Sequence, residues 1–498
     1  MEFSLLLILL GLLLGLITYF TVKNSVASIT RTPVWLLWLV MMTPPLVLTG
    51  WTLLYNEPPP RNVILGTILV CPLLYWLLIN WGRREPQKLR AKEDSIQSAL
   101  PDTQPKEQPV VEESKLRPIN KQEETELRNC FPWGVYYLQN VEYRPQAVLC
   151  RGKLRTNPDT AYQTVRKNIE AEFGDRFFLI FQESLNGKPF FALVPNPQAK
   201  ATAEVESQSV TRPGLALGLL LITLFTTTVV GAKLAGVDEE SLQSTPIILR
   251  QGLPYAISLM AILGIHELGH YLAATYYQIR TTLPYCIPIP FLPGTLGAFI
   301  QMRSPVPHRK ALFDIGIAGP LAGLLITIPL LMWGLAHSEV VELTEKSRLW
   351  TFASLDPRFS FLLTLFSKWF VSDFEVGKAI ALNPVAIAAY IGLIVTAFNL
   401  MPVGQLDGGH IVHAMLGQRT AVVIGQVTRF LMLLLVLLER DLLIWAVILL
   451  FMPVADEPAL NDVSELDNWR DALGFLALVI LVSIVLPPPG TVTQMLNI

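Results

Sequence analysis

Apolar runs long enough to span a bilayer recur along this chain, and they constrain its fold more than any other feature. They fall near residues 3–22, 34–55, 62–81, 214–235, 251–277, 311–336, 379–402, 420–438, 441–455 and 471–487. A hydrocarbon core about 30 Å thick calls for roughly 20 apolar residues in helical form. With no water there to satisfy the backbone, only helices and closed barrels cross it. The runs predict a polytopic α-helical membrane protein of about ten spans. Composition points the same way, with 52% of the 498 residues hydrophobic and 16% charged. A net charge of −2 leaves no basic face for nucleic acid, which is excluded as a partner. Cys71, Cys130, Cys150 and Cys286 show no paired spacing, so neither a zinc ribbon nor a disulfide framework is expected. A reducing compartment for the soluble part is the simpler reading.

Charge sets the orientation. The first run carries Glu2 and lacks a basic leader, so it reads as a span rather than a signal peptide. Arg83, Arg84, Lys88, Arg90 and Lys92 follow the third run and place that flank in the cytoplasm, with the N-terminus outside. Alternation then puts Arg280, Arg303, Arg309 and Lys310 inside, the 337–378 loop outside and the C-terminus outside.

Between the spans lie a polar linker, residues 83–128, and a small α/β module, residues 129–200. The module reads as strand (VLCRGKL), helix (TNPDTAYQTVRKNIEAEFG) and two strands joined by LNGK. It carries no catalytic constellation and suits a cytosolic regulatory contact. Residues 1–82 form a three-span region, 214–455 the transmembrane core, and 456–498 a C-terminal loop and last span.

The chemistry lies in the core. The pentapeptide HELGH, His266 to His270, sits inside the 251–277 run. On a helix, His266 and His270 share a face one turn apart, where two imidazoles can bind one zinc ion. Glu267 is adjacent and placed to take a proton from zinc-activated water. Polar groups in a bilayer are expensive and by default mark a functional site. A catalytic zinc needs a third protein ligand, and Asp407, in FNLMPVGQLDGGHIVHA, is the best remaining donor. Both half-sites fall toward the same leaflet. The HELGH helix runs inward to Tyr277, His270 lies about 10 Å from that end, and Asp407 follows another inward-running span.

HELGH and NLMPVGQLDGG together resemble the site-2 protease family of intramembrane zinc metalloproteases. They match its HExxH and NxxPxxxxDG motifs, with Asn399, Pro402, Asp407 and Gly408 at the fixed places. The resemblance covers roughly residues 214–455. It implies His266, His270 and Asp407 as ligands of one zinc ion and Glu267 as catalytic base. Asn399 would position or polarise the substrate carbonyl. It also implies membrane-protein substrates cut in or near a transmembrane segment. The extra N-terminal spans, the α/β module and the absence of room for a PDZ domain resemble the cyanobacterial and chloroplast branch, and so a bacterial-type plasma or thylakoid membrane.

Other signals are weaker. Pro284 to Ser304 is apolar yet rich in Pro and Gly, which suits a re-entrant hairpin whose strand edge could hold an unwound substrate. Gly316, Gly319 and Gly323 read as small-residue helix packing. His410 and His413 read as interfacial and are set outside the donor set, with supporting roles or alternative ligation left open. His308 and His337 read as solvated. The competing classes are a metal-ion transporter or channel, in which Glu267 would be a further ligand, and a catalytically silent membrane scaffold.

Overall fold

The computed structural model describes residues 32–55, 119–144, 147–184, 187–196, 212–238, 246–291, 293–344, 351–372, 374–375, 377–438 and 442–496, plus residue 19 and isolated positions between 60 and 78. The apolar runs 3–22 and 62–81 lie outside the described residues apart from those positions. Two compact units emerge, Met1–Pro109 and Val110–Ile498. In the first, the run at 34–55 is helix α1, Val34–Tyr55.

The second unit opens with α2, Lys121–Asn129, where Asn120 and Glu123 form a reciprocal capping box. This helix falls within the stretch predicted as linker. Its sequence KQEETELRN has one apolar anchor, Leu127, so no hydrophobic period betrays it; Leu127 is fully buried beside Ile119 and Phe131. Strands β1 (Tyr136–Arg144) and β2 (Ala147–Leu154), helix α3 (Pro158–Phe173), and strands β3 (Phe177–Glu183) and β4 (Pro189–Pro195) follow. They form one antiparallel sheet in the order β1-β2-β4-β3. Helix α3 buries Ala161, Tyr162, Val165, Ile169 and Phe173, and Phe181 and Phe191 stack with ring centres 4.1 Å apart in the shared core. Strand β1 is one more than the sequence predicts. A register shift between Leu138 and Asn140 breaks the two-residue alternation that marks a strand.

The free edge of β3 is occupied from a distance. Residues 460–462 run parallel to it, with Phe181 N–H donating to Leu460 O (2.7 Å) and Asp462 N–H to Phe181 O (2.9 Å). On its other side the segment donates from Leu460 to Val306 O (2.9 Å) and from Asn461 to Pro307 O (3.0 Å).

The membrane part begins with α4 (Pro213–Leu234) and α5 (Leu253–Tyr276). A β-hairpin, β5 (Tyr285–Pro288) and β6 (Thr295–Phe299), leads to α6 (Arg309–Ala336). Beyond it, β7 (Glu339–Glu342) and α7 (Phe361–Phe370) occupy the region expected as the 337–378 loop, and β8 (Lys378–Ala381), paired to β7, takes the start of the run expected as a span. Then come α8 (Pro384–Asn399), α9 (Asp407–Leu438), α10 (Leu443–Phe451), α11 (Asn468–Val485) and α12 (Gly490–Leu496).

Among the described residues, α4, α5 with its preceding turn, α6, α9 and α11 are long and apolar enough to cross a membrane. Helix α9 breaks at Gly417, whose φ is 81°. Helix α8 has 16 residues and α10 only 9. At 1.5 Å per residue these reach about 24 Å and 13 Å, so α10 is no span. Leu221, Phe225, Leu325, Phe430 and Val479 are each more than half exposed, an outward surface that acyl chains suit and water does not. The inner faces interlock through Tyr255, Leu259 and Leu263 of α5, Leu324 and Leu331 of α6, and Ile387 and Tyr390 of α8. Small residues let the backbones close up: a Cβ at Gly392 would press on Ile262, and one at Gly334 on Ala386.

Candidate metal centre

Helices α5, α6 and α8 and the first turn of α9 meet around His266, His270 and Asp407. Helix α5 is apolar all round, and its orientation is decided by what it buries. His266, Glu267 and His270 are 4%, 8% and 8% exposed, whereas Leu268 and Leu272 on the opposite face are 45% and 58% exposed.

Two glycines of α6 make room for the imidazoles. A Cβ at Gly323 would sit 3.2 Å from His266 Nδ1, and one at Gly319 would overlap the His270 ring. The stretch that reads as packing glycines is therefore the wall of the site. His270 Nδ1 lies 2.8 Å from Ile315 O. A carbonyl only accepts, so Nδ1 carries the proton and Nε2 presents its lone pair.

Asp407 arrives through a tight reversal after α8. Gly408 packs so closely on Leu400 O that a Cβ would overlap it, and Gly404, with φ 53°, packs likewise on Pro453 O. Only glycine fits these two approaches, and they fold residues 400–407 back so that Asn399 and Asp407 both face α5.

Asp407 Oδ2 is 3.4 Å from His266 Nε2 and 3.3 Å from His270 Nε2, and the two Nε2 atoms are 3.1 Å apart. Asp407 Oδ2 is buried and makes no hydrogen bond among the described residues. Two imidazole nitrogens and an orphaned carboxylate oxygen thus point at one spot, which a divalent cation would satisfy. Their ligand atoms all lie within 4.8 Å of one another, and among the described residues no other such group of three His, Cys, Asp or Glu occurs. The donor set of two imidazoles and one carboxylate suits zinc and leaves a fourth position open. Asn399 Nδ2 is 3.2 Å from His266 Nε2, and Glu267 stands between the two histidines in sequence without joining the donor group.

Gly319→Ala follows as a test of the wall. Alanine should favour the helix by about 1 kcal/mol, yet its methyl displaces His270. The expected outcome is a folded protein with metal content well below wild type, read by elemental analysis. Full metal occupancy in the variant would contradict this packing.

His410 and His413 take part in a buried polar cluster, the supporting role that the sequence left open. His413 is fully buried, with Nδ1 2.8 Å from Asp456 Oδ2 and Nε2 3.0 Å from Asp462 Oδ1. His410 Nδ1 lies 2.8 Å from the same Asp456 oxygen. Burial alone would raise the Asp456 carboxyl, but the two histidines outweigh it and hold it down to about 2. Asp456 and Asp462 carry no motif and were legible only as loop acids. His308 is not simply solvated: its Nδ1 accepts from Ala311 N–H at 3.1 Å and caps α6. His337 is exposed and stacks on Trp333.

A histidine pair and a carboxylate gathered within apolar helices suit a membrane-embedded metal site, and Glu267 beside them suits a metallopeptidase. Sequence comparison agrees. Residues 254–438 match the model of Peptidase family M50, and residues 125–201 match that of the EGY3 middle domain. The chain is 29% identical over 393 residues to the probable zinc metalloprotease EGY2, chloroplastic, of Arabidopsis thaliana, covering 78% of this chain and 68% of that protein. To Arabidopsis EGY1 it is 29% identical over 370 residues, with 69% and 66% covered. To the EGY3 protein of Oryza sativa subsp. indica it is 23% identical over 379 residues, with 73% and 64% covered. The chain spans about two thirds of the length of these relatives. Residues 254–438 are thus similar to Peptidase family M50, and the chain as a whole is similar to the chloroplast zinc metalloproteases.

Proposed function

We propose that this chain hydrolyses a peptide bond in or near a transmembrane segment of membrane-protein substrates, using one zinc ion held by His266, His270 and Asp407. The convergence of those three ligand atoms beside Glu267, on a helix long enough to span the bilayer, carries the reading. Bound zinc supplies Lewis acidity, making water a nucleophile at neutral pH and polarising a carbonyl. Glu267 is the base that takes the water proton and returns it to the leaving amine. Asn399 hydrogen-bonds His266 Nε2 while that lone pair is available. With that lone pair on a metal, the Asn399 N–H groups would be free to hold the scissile carbonyl.

A helical substrate hides its peptide bonds, so one segment must be drawn out as a strand. The β5–β6 hairpin is tied down at its turn, where Thr226 Oγ1 donates to Gly294 O (2.7 Å) and Tyr255 OH to Pro293 O (2.8 Å). It borders α5 near the site. It is the edge to which an unwound substrate would add, as a re-entrant element of a polytopic chain. Basic flanks favour a cut near the cytoplasmic leaflet, with the 129–200 module on that side and the enzyme in a plasma or thylakoid-type membrane. The chain divides at 1–82, 83–118, 119–200, 214–455 and 456–498, the soluble module beginning with the capped helix α2.

The reading is tested in proteoliposomes holding a single-span substrate. Wild-type protein should release fragments cut within the span, lose that activity to a zinc chelator and regain it with added zinc. Undiminished cleavage by zinc-free protein, or ion flux without cleavage, would refute it.

A further inference from the structure

We propose that the soluble domain of residues 119–196 positions the metal centre: through the C-terminal loop it holds His410 and His413, and through them the turn that carries Asp407. The inference rests on the zinc-protease reading above. Its residues lie outside the donor set and are positioning residues, not catalytic ones.

The chain of contacts is continuous. Carboxylate oxygens only accept hydrogen bonds, and both ring nitrogens of His413 face one, at 2.8 Å on Asp456 and 3.0 Å on Asp462. Both nitrogens therefore carry protons, and His413 is a buried cation between two buried anions whose side chains are 3% and 5% exposed. His410 donates to the shared Asp456 oxygen. Such a cluster is a poor source of net stability, because desolvation offsets attraction. What it does well is fix geometry.

The geometry it fixes is the first helical stretch of α9, between Asp407 and the break at Gly417. His410 lies one turn from Asp407, and both press on Gly316 of α6: a Cβ there would meet His410 Cβ at 3.0 Å and Asp407 O at 3.2 Å. At the far end, Arg309 Nε donates to Ala414 O (2.8 Å) and Nη2 to His413 O (3.3 Å), satisfying carbonyls left open by the break.

Asp456 and Asp462 reach these histidines only because their loop is held. Gln418 donates to Asp456 O (2.8 Å). Residues 460–462 bridge the edge of the domain's sheet, bonded to Phe181 on one side and to residues 306–307 on the other. Asn461 Nδ2 and Ser464 Oγ both donate to Asp159 Oδ1 at the start of α3, at 3.1 and 2.5 Å. Without the domain, Asp462 N–H and Leu460 O lose the partner that fixes the path of the loop. Groups that orient a metal ligand from behind typically tune affinity 10–100-fold; here they come from α9 and the C-terminal loop, and the domain anchors that loop through Phe181 and Asp159.

The test uses the full-length protein in detergent, loaded with zinc or with cobalt(II) as a spectroscopic probe. Asp456→Ala should raise the zinc dissociation rate about 10–100-fold, shift the visible cobalt bands, and lower kcat with KM nearly unchanged. Asp159→Ala, an exposed change on the soluble domain, should move dissociation in the same direction by several-fold, and Asp159→Asn, which keeps the oxygen acceptor, should restore it. A folded Asp456→Ala protein with wild-type dissociation and cobalt bands overturns the proposal. If that variant does not fold, wild-type dissociation in Asp159→Ala overturns it. Wild-type protein that neither binds zinc nor cleaves overturns the protease reading itself, and is distinguished by that control.

Discussion

Glu267→Gln should abolish turnover while leaving the metal in place. The substitution keeps the shape of the side chain and removes the base. General acid–base catalysis typically contributes 10²–10⁴-fold, or about 3–5 kcal/mol of barrier, and the loss in kcat should fall in that range. Zinc content should stay at one ion per chain, because the converging atoms belong to His266, His270 and Asp407 alone. Stability should not fall, since a neutral amide is no harder to bury than the carboxylate it replaces at a site 8% exposed. The informative comparison is the split between the two measurements. A transporter in which Glu267 is a fourth ligand predicts the reverse, with metal lost and no peptide cleavage to lose. A variant that retains zinc and cuts within tenfold of wild type would remove Glu267 from the mechanism.

What the sequence revealed here was what local spacing encodes. HELGH puts two imidazoles on one face of any helix, so the half-site was readable before the helix was seen. The apolar runs at 214–235, 251–277, 311–336, 420–438 and 471–487 correspond to α4, α5, α6, α9 and α11 because each is long enough to cross alone. The run at 441–455 has the same composition, but only Leu443–Phe451 is helical. Pro453 sits where it ends, and Arg429 reaches in to bind the carbonyls of Met452 and Pro453, at 2.8 Å each. Hydropathy cannot see that contact.

The less legible features are those that depend on distant partners. Gly319 and Gly323 look identical to packing glycines until the imidazoles opposite them are placed. Asp456 and Asp462 look like ordinary loop acids, because the histidines that bind them lie more than 40 residues earlier. The bridging segment at 460–462 has no alternation to recognise; three residues between β3 and residues 306–307 are held by pairing on both sides rather than by propensity. Helix α2 is hidden for a related reason, since Leu127 and bonds from the distant Tyr143 and Arg176 to Glu124 and Glu123 hold it in place.

Asp407→Asn isolates the third ligand in the same spirit. Without zinc, the variant should be no less stable than wild type. The carboxylate oxygen it replaces is buried without a hydrogen bond, and an amide N–H can donate to an imidazole nitrogen 3.3–3.4 Å away. With zinc the order should invert. A ligand that binds only the folded state stabilises it by RT ln(1 + [L]/Kd), about 2.7 kcal/mol at a hundredfold excess over Kd. Wild type should show that gain as a rise in melting temperature, and Asp407→Asn should show little of it, because a neutral amide oxygen is a far weaker zinc donor than a carboxylate. Two histidines alone leave the ion held by half a coordination sphere, so bound metal should be largely lost on desalting and cleavage with it. An equal zinc-induced shift in both proteins would mean that the carboxylate does not ligate the metal, and that its place beside the two histidines serves the fold alone.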